Sequence, residues 1–427
     1  VKKLEPKDVF VPGRFPLQTN NVYADRGRPQ SDFLKAIERA FVPVVFGSYG
    51  VGKSSLSRYC VKSWEAEGKL VYIESLYGKS LADIFTRILE ILGYEVTTET
   101  TSQRERETGG ETGFEVEGGI LAWLKASVSG KISRKDKKIL GAKKQLVVTS
   151  PTDSKVLDLC EDAGLFLMLD ETHRASEGLR KDLSAFLKAY ANRNHKNFRL
   201  AVIGTETDAS RLVIRDPGVD RLLQEVPVHP ITEAEGRSIL FDGMARLGIT
   251  VPEELGVKVI KSGVGSPFVL QYLSLEMAES ALSVGASELT EEMHSNALRT
   301  YARAKAQRMI HQYRTAIETT GEKRYRKRVL HAMARAEDDY VTMDQLTASI
   351  SSELKENVPS TSLSGPLREL KTDKYGKLLT DVDGPSGTAR AYNYSAFSDP
   401  AMKSIIRMIE ELARPGEEVP RDLQQER

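Results

Sequence analysis

Gly47-Ser48-Tyr49-Gly50-Val51-Gly52-Lys53-Ser54 fits the spacing G-x-x-x-x-G-K-[ST], and the residues on either side decide how it is read. Before it runs Val42-Pro43-Val44-Val45-Phe46, a continuous apolar run suited to a buried parallel strand. After it, Leu56 to Trp64 carries apolar residues at helical spacing. A buried strand that enters a glycine loop and leaves as a helix is the context in which such a loop holds phosphate. The glycines let backbone N–H groups curl round phosphate oxygens, and the following helix aims the positive end of its dipole at them. Lys53 is then expected to reach the β- and γ-phosphates, with Ser55 beside it at the helix start. Ser54 offers its hydroxyl to Mg2+, a cation that keeps several waters and takes few protein ligands. ATP or ADP with magnesium is the expected occupant of 47–55.

Outward from the loop, strands and helices alternate. Ser31 to Ala40 places Phe33, Leu34, Ile37 and Ala40 at helical spacing, with Ser31 or Asp32 as the N-cap. Downstream, Leu70–Ile73, Leu165–Leu169 and Leu200–Ile203 read as buried strands, and Leu81–Leu92 and Leu179–Tyr190 as helices. The alternation predicts an α/β three-layer sandwich, a parallel sheet covered by helices. The strand Leu165–Leu169 runs into Asp170-Glu171, at the strand end where open α/β sheets bind ligands. Taken alone, such a pair is ordinary turn chemistry. Joined to the phosphate loop, Asp170 becomes the carboxylate that holds the magnesium water shell, and Glu171 the base that orients or deprotonates the attacking water. Ile203-Gly204-Thr205 brings a small polar side chain beside the γ-phosphate position if the strands are neighbours, so Thr205 either senses that phosphate or caps the next segment. Arg221 has two readings: a finger reaching a neighbouring subunit's nucleotide, or a salt-bridged surface arginine.

The bulk numbers set limits. A chain of 427 residues suggests two or three domains. With 28% charged and 40% hydrophobic residues and no apolar run near the ~20 that a membrane helix needs, the chain is expected to be soluble and without a membrane partner. Val1-Lys2-Lys3-Leu4-Glu5-Pro6 has no apolar stretch behind its basic residues, so a secretory signal is not expected. Cys60 and Cys160 have no metal-ligand spacing and sit in apolar helical patterns, which fits a reducing, cytoplasmic setting. His173 reads as a surface or supporting residue. A net charge of +1 excludes a globally basic nucleic-acid binder, so any DNA contact must be local.

Three regions depart from the alternation. The stretch to about Asn21, rich in Pro and Gly, has no periodicity and is given no fold. Between Thr97 and Thr149, the charged or Gly-rich runs Gln103–Gly113 and Lys131–Lys144 flank alternating residues. That region reads either as an inserted β-hairpin or as a solvated loop. After Pro227 the chain turns helical, at Thr232–Leu247, Pro252–Gly263 and Pro267–Leu282, as a lid would be. Arg299–Arg328 follows as a basic helical bridge.

Phosphate loop, Asp-Glu strand, Ile-Gly-Thr strand, downstream arginine and Gly265-Ser266-Pro267 at the start of a helix together resemble the AAA+ P-loop ATPases. The similarity is to the branch shared by archaeal and eukaryotic replication initiators and the STAND signalling ATPases, and it covers Tyr23 to Leu282. It implies that the Gly-x-Pro turn, Gly265 and Pro267, sits against the nucleotide, and that Tyr23–Arg28, with Arg26, lies where such proteins contact adenine. It continues in pattern only. Val329–Ala336, Met343–Ile350 and Ser360–Leu370 are three helical segments, and Leu378–Val382 and Ala389–Tyr394 flank a Gly-Pro-Ser-Gly turn, which makes a winged helix. Arg368, Lys371, Lys374, Lys377 and Arg390 are its candidate DNA contacts, among interspersed acids.

The implied plan is an N-terminal extension over 1–22, an ATPase core over 23–228 with the 97–149 insertion, and a lid over 229–298. A connector over 299–325, a winged helix over 326–412 and a tail over 413–427 complete it. The implied function is an ATP-hydrolysing switch that forms homo-oligomers and associates with double-stranded DNA. The alternatives are a STAND-like signalling or defence ATPase acting on a protein partner, and a transposition or recombination adaptor.

Overall fold

The four apolar runs read as strands at Val42–Phe46, Leu70–Ile73, Leu165–Leu169 and Leu200–Ile203 each form a strand of one sheet. The computed structural model describes residues 4–93, 153–205, 217–318, 324–336, 338, 340–382, 394–399, 401–413, 419, 420 and 423. The 97–149 insertion and Arg390 lie outside them. The strands are β1 (Val42–Phe46), β2 (Leu70–Ile73), β3 (Phe166–Leu169), β4 (Arg199–Ile203) and β5 (Leu223–Pro227). They are all parallel, in the order β2-β3-β4-β1-β5.

β3 is buried at every position, as a strand covered on both faces must be. β5 is an edge strand, half open, and ends in Pro227, a residue that an edge tolerates easily. Pro43 sits in the interior strand β1. Val42 donates its N–H to Leu222 O in the turn before β5, so by strand alternation the nitrogen of Pro43 turns toward β4. That position has no donor, and the β1–β4 register is confined to Val44↔Val202 and Val45↔Ile203.

The chain divides into two compact units. One, Pro29–Phe46 with Cys60–Pro227, holds this sheet. Its core joins Val44, Leu167, Val202, Ile88, Phe186 and Leu157 from strands and covering helices. Cys160 is buried there, which pushes its thiol up to about 12 and leaves it a small core residue.

Several boundaries move. The first helix of this region is Arg28–Glu38, so Ser31 and Asp32 lie inside it rather than capping it; Pro29, with its fixed φ, suits a first turn. The helix after the phosphate loop breaks at Val61 (φ −107°, ψ 18°) into Lys53–Cys60 and Lys62–Ala66. The basic bridge also breaks, at Ala306, between Glu291–Lys305 and Gln307–Ile317.

The other unit is Val1–Arg28, Gly47–Tyr59 and Val228–Arg427. Its lid helices are Glu233–Arg246, Glu253–Ser262 and Pro267–Ser283. Thr232 and Glu235 form a capping box at the first of them. The helices Tyr325–Arg335, Met343–Leu354 and Ser360–Glu369 and an antiparallel sheet of β6 (Tyr340–Val341), β8 (Tyr394–Phe397) and β7 (Leu379–Val382), in that order, have the arrangement of a winged helix.

One continuous core runs through the whole unit, from Val9 and Phe10 through Leu240, Leu273, Tyr313 and Leu363 to Ile405 and Leu423. The N-terminal stretch is therefore built into the fold. A four-residue helix, Pro6–Val9, is too short to show periodicity, yet Val9 and Phe10 are fully buried, each such side chain stabilising by about 1.5–3 kcal/mol. Gly243 makes room: a Cβ there would lie 2.5 Å from the Phe10 ring.

Consecutive carboxylates on the last helix, Ala401–Leu412, face two partners. Glu410 pairs with Arg335 and with His331, whose other ring nitrogen meets the Tyr313 hydroxyl at 2.7 Å. Glu411 accepts a 2.7 Å bond from Ser262 of the lid. Among the described residues, no helix is long and apolar enough to cross a membrane.

Candidate nucleotide site

The loop 47–54 follows β1 along the chain, and its glycines occupy backbone space closed to other residues. Gly47, Gly50 and Gly52 have φ of +144°, +80° and +91°. A Cβ on Gly47 would stand 2.1 Å from the carbonyl oxygen of Val228, so not even alanine has room. The helix Lys53–Cys60 begins directly after Gly52, and its first turn presents N–H groups and the dipole's positive end. Ser54 and Ser55 are half-buried in that turn. Lys53 is buried, with Nζ 3.0 Å from Gly47 O and 2.6 Å from Ser48 O, so the ammonium lies curled over its own loop. Tyr49 is exposed and Val51 buried, so the loop has one wet face and one packed face.

The Gly265-Ser266-Pro267 turn packs on this loop. Ser266, the N-cap of Pro267–Ser283, also donates to Gly50 O at 3.3 Å. A Cβ on Gly52 would meet Pro267 Cγ at 3.1 Å. Gly265 (φ +70°) accepts from Ile231 N–H at 2.9 Å, with Pro230 where a side chain would stand. Arg26 lies beneath the loop: Nη1 is 2.7 Å from Val51 O, Nη2 2.5 Å from His229 O, and Nε 2.9 Å from the Glu235 carboxylate.

In the sheet unit, β4 lies between β3 and β1, so the C-terminal ends of these three parallel strands are neighbours. Asp170 follows β3 and is 5% exposed. One of its oxygens accepts the Tyr72 hydroxyl at 2.7 Å and the other the Glu171 N–H at 2.7 Å. Glu171 is a non-glycine residue in the left-handed region (φ 50°, ψ 38°), a conformation that costs ~1–3 kcal/mol and clusters at functional positions. Its side chain is a third exposed and 3.3 Å from Arg174.

The turn that follows is stitched to the end of β4. Thr172 donates its hydroxyl to Ile203 O at 2.9 Å, and Thr205 donates its N–H to His173 Nδ1 at 3.1 Å. The latter bond needs the tautomer with its proton on Nε2. Thr205 therefore sits at the strand end beside the Asp-Glu turn. Arg221 is exposed, in the turn between the short helix Pro217–Asp220 and β5.

Tyr72, Thr172 and Glu235 carry site geometry that the sequence reading did not assign, and His173, read there as a surface or supporting residue, accepts the Thr205 N–H. Their partners are 98, 31, 209 and 32 residues away, beyond any local pattern. Among the described residues no cluster of three or more His, Cys, Asp or Glu is placed to hold a metal ion.

No family model and no curated protein matches this sequence. Among solved structures, it resembles the Walker-type ATPase PABY2304 of Pyrococcus abyssi, with a TM-score of 0.50 and 17% identity over 92% of this chain and 99% of that one. The chain shares its P-loop α/β fold. Weaker likenesses are to Orc1 of Aeropyrum pernix, solved in complex with DNA (TM-score 0.44, 14% identity, 95% of this chain and 96% of that one), and to Cdc6p of Pyrobaculum aerophilum (0.40, 12%, 93% and 96%). At such identities the AAA+ likeness concerns fold, and residue roles come from the site itself.

The candidate DNA contacts on the winged-helix arrangement gather at the end of Ser360–Glu369 and in the turn after it. Arg368, Lys374 and Lys377 are exposed. Lys374 Nζ lies 5.3 Å from the Tyr375 ring centroid. Lys371 is bound to Asp381 of β7, and Arg326 to Glu369 at 2.6 Å.

Proposed function

We propose that this protein binds ATP with Mg2+ on the 47–54 loop and hydrolyses it. Its nucleotide state would govern association with further copies of itself and, through the winged helix, with duplex DNA. The observation that carries the nucleotide reading is the loop: three glycines at positive φ directly before a helix, with a buried lysine whose ammonium lies over them. Magnesium, when bound, would neutralise phosphate charge, with Ser54 as its hydroxyl ligand and Asp170 facing its waters.

The residues divide the work. Lys53 leaves Gly47 O and Ser48 O for the β- and γ-phosphate oxygens. Glu171 takes a proton from water as the water oxygen bonds to the γ-phosphorus; the bond to the β–γ bridging oxygen breaks, and ADP and phosphate leave. Thr205, fixed by the His173 bond, is assigned to the γ-phosphate, and Arg221 to the nucleotide of a neighbouring copy. Little covalent chemistry is asked of the protein; positioning and charge carry the rate. We place this activity in the cytosol, in keeping with Cys60 and Cys160 both being reduced thiols.

DNA association is tested by fluorescence anisotropy on a labelled duplex with ATP, ADP or no nucleotide at two salt concentrations. The expected result is binding that depends on nucleotide and weakens steeply with salt, as phosphate neutralisation requires. A second reading, a STAND-like switch acting on a protein partner, is favoured by the local pairing of Lys371 with Asp381 and of Arg326 with Glu369, which spends cationic charge inside the domain. Absence of DNA binding in every nucleotide state selects it.

A further inference from the structure

We infer that Arg26 is a positioning residue that ties the phosphate loop to the lid, and that its work is done without touching the nucleotide. The inference rests on the nucleotide reading of the loop and sharpens it. The guanidinium is 6% exposed and joins three separate pieces of chain. Nη1 holds Val51 O at the packed face of the loop, and Nη2 holds His229 O one residue beyond Val228, whose carbonyl closes the space over Gly47. Nε holds Glu235 Oε1 in the first turn of the lid helix Glu233–Arg246.

The other oxygen of Glu235 accepts the Thr232 N–H at 2.6 Å, closing the cap of that helix. Loop, the chain at His229 and the lid cap thus meet on one planar fork, a geometry that a lysine ammonium cannot reproduce. The segment carrying Arg26 is itself held to the helix after the loop. Tyr23 stacks on Tyr59 at 3.7 Å between centroids, and Arg58 lies 4.0 Å over the Phe15 ring. Arg26 is aimed at protein acceptors, and its carbonyl partner in the loop leaves the loop N–H groups to phosphate.

The test uses full-length protein with Arg26→Lys, Glu235→Gln and the double variant. Amide hydrogen exchange is read without nucleotide, and affinity with mant-ATP and mant-ADP. Each single variant is expected to speed exchange at Val51–Lys53 and in the first turn of Glu233–Arg246. Each should weaken ATP and ADP alike by about tenfold, the loss of one charge-assisted bond. kcat at saturating ATP should move less than about twofold, because the loop and not the reacting atoms is disturbed. The double variant should be no weaker than the worse single, since both cut the same tie.

Unchanged loop exchange in both single variants overturns the inference. So does weak binding in Arg26→Lys alone with Glu235→Gln silent, which would make Arg26 a nucleotide contact. Glu235→Gln is nearly isosteric and guards against misfolding of the arginine variant. If wild-type protein binds neither mant-nucleotide, the nucleotide reading fails, while the exchange measurement still decides whether the tie exists.

Discussion

Glu171→Gln is expected to bind ATP as tightly as the wild type and to lose turnover by about 100-fold or more, the contribution of a positioned general base. The glutamine keeps the shape of the side chain and removes its ability to take a proton. Backbone geometry makes the substitution a clean one. Glu171 stands at φ 50° because the turn is fastened on both sides, by Asp170 accepting its N–H and by Thr172 bonded to Ile203 O. None of these bonds uses the Glu171 carboxylate, so the turn should survive. The carboxylate's neighbour is Arg174 at 3.3 Å, a largely exposed contact worth little to stability. Steady-state phosphate release and mant-ATP titration on the same preparation separate the two effects. Equal turnover in variant and wild type would remove Glu171 from the base role, and Asp170 would not replace it, since both its oxygens already accept bonds from Tyr72 and the Glu171 N–H.

Lys53→Ala should fail at the earlier step. Its ammonium is buried with two carbonyl oxygens, Gly47 O and Ser48 O, within 3.0 Å, and a phosphate chain would replace neutral acceptors by anionic ones. Bonds to charged groups contribute ~1.5–3 kcal/mol each, so losing two of them weakens ATP by on the order of 100-fold or more. Calorimetric titration with ATP and with ADP reads the loss directly. A dissociation constant within about threefold of the wild type would show that the loop backbone holds phosphate unaided, and the nucleotide reading would need another centre of charge.

The parts legible in the sequence were those fixed by residues close together in it. β1 begins and ends where its apolar run does, because a parallel strand buried on both faces must be apolar throughout, and β2 matches its run although it lies at an edge with alternate residues partly buried. The glycines of the loop were legible for the same reason, and so was the start of the lid helix near Thr232, though not its capping box. The rest depended on contacts across the chain. Nothing near Tyr72 says that its hydroxyl meets Asp170, and nothing near His173 says that it accepts the Thr205 N–H. Arg26 was placed by resemblance against adenine. Its bond to Glu235 spans 209 residues, and only the folded chain displays the acceptors that occupy it. The N-terminal stretch carried no periodic signal because its anchoring is done by consecutive residues, Val9, Phe10 and Val11, and not by a repeat.

The unit that holds the phosphate loop is assembled from three stretches of chain: the beginning, the loop itself and everything from Val228 onward. This has a consequence for synthesis on the ribosome. Loop residues are made early, yet Gly47 is closed in by Val228, Gly50 is bonded by Ser266 and Val51 by an arginine that needs Glu235. A nascent chain halted after Pro227 has the sheet strands but none of those later supports. Competence to hold ATP is therefore expected to arrive late in translation, after the lid has left the exit tunnel. Photo-crosslinking of azido-ATP to ribosome-bound chains of increasing length would date it, and labelling of the chain halted at Pro227 would show that the loop forms without its lid.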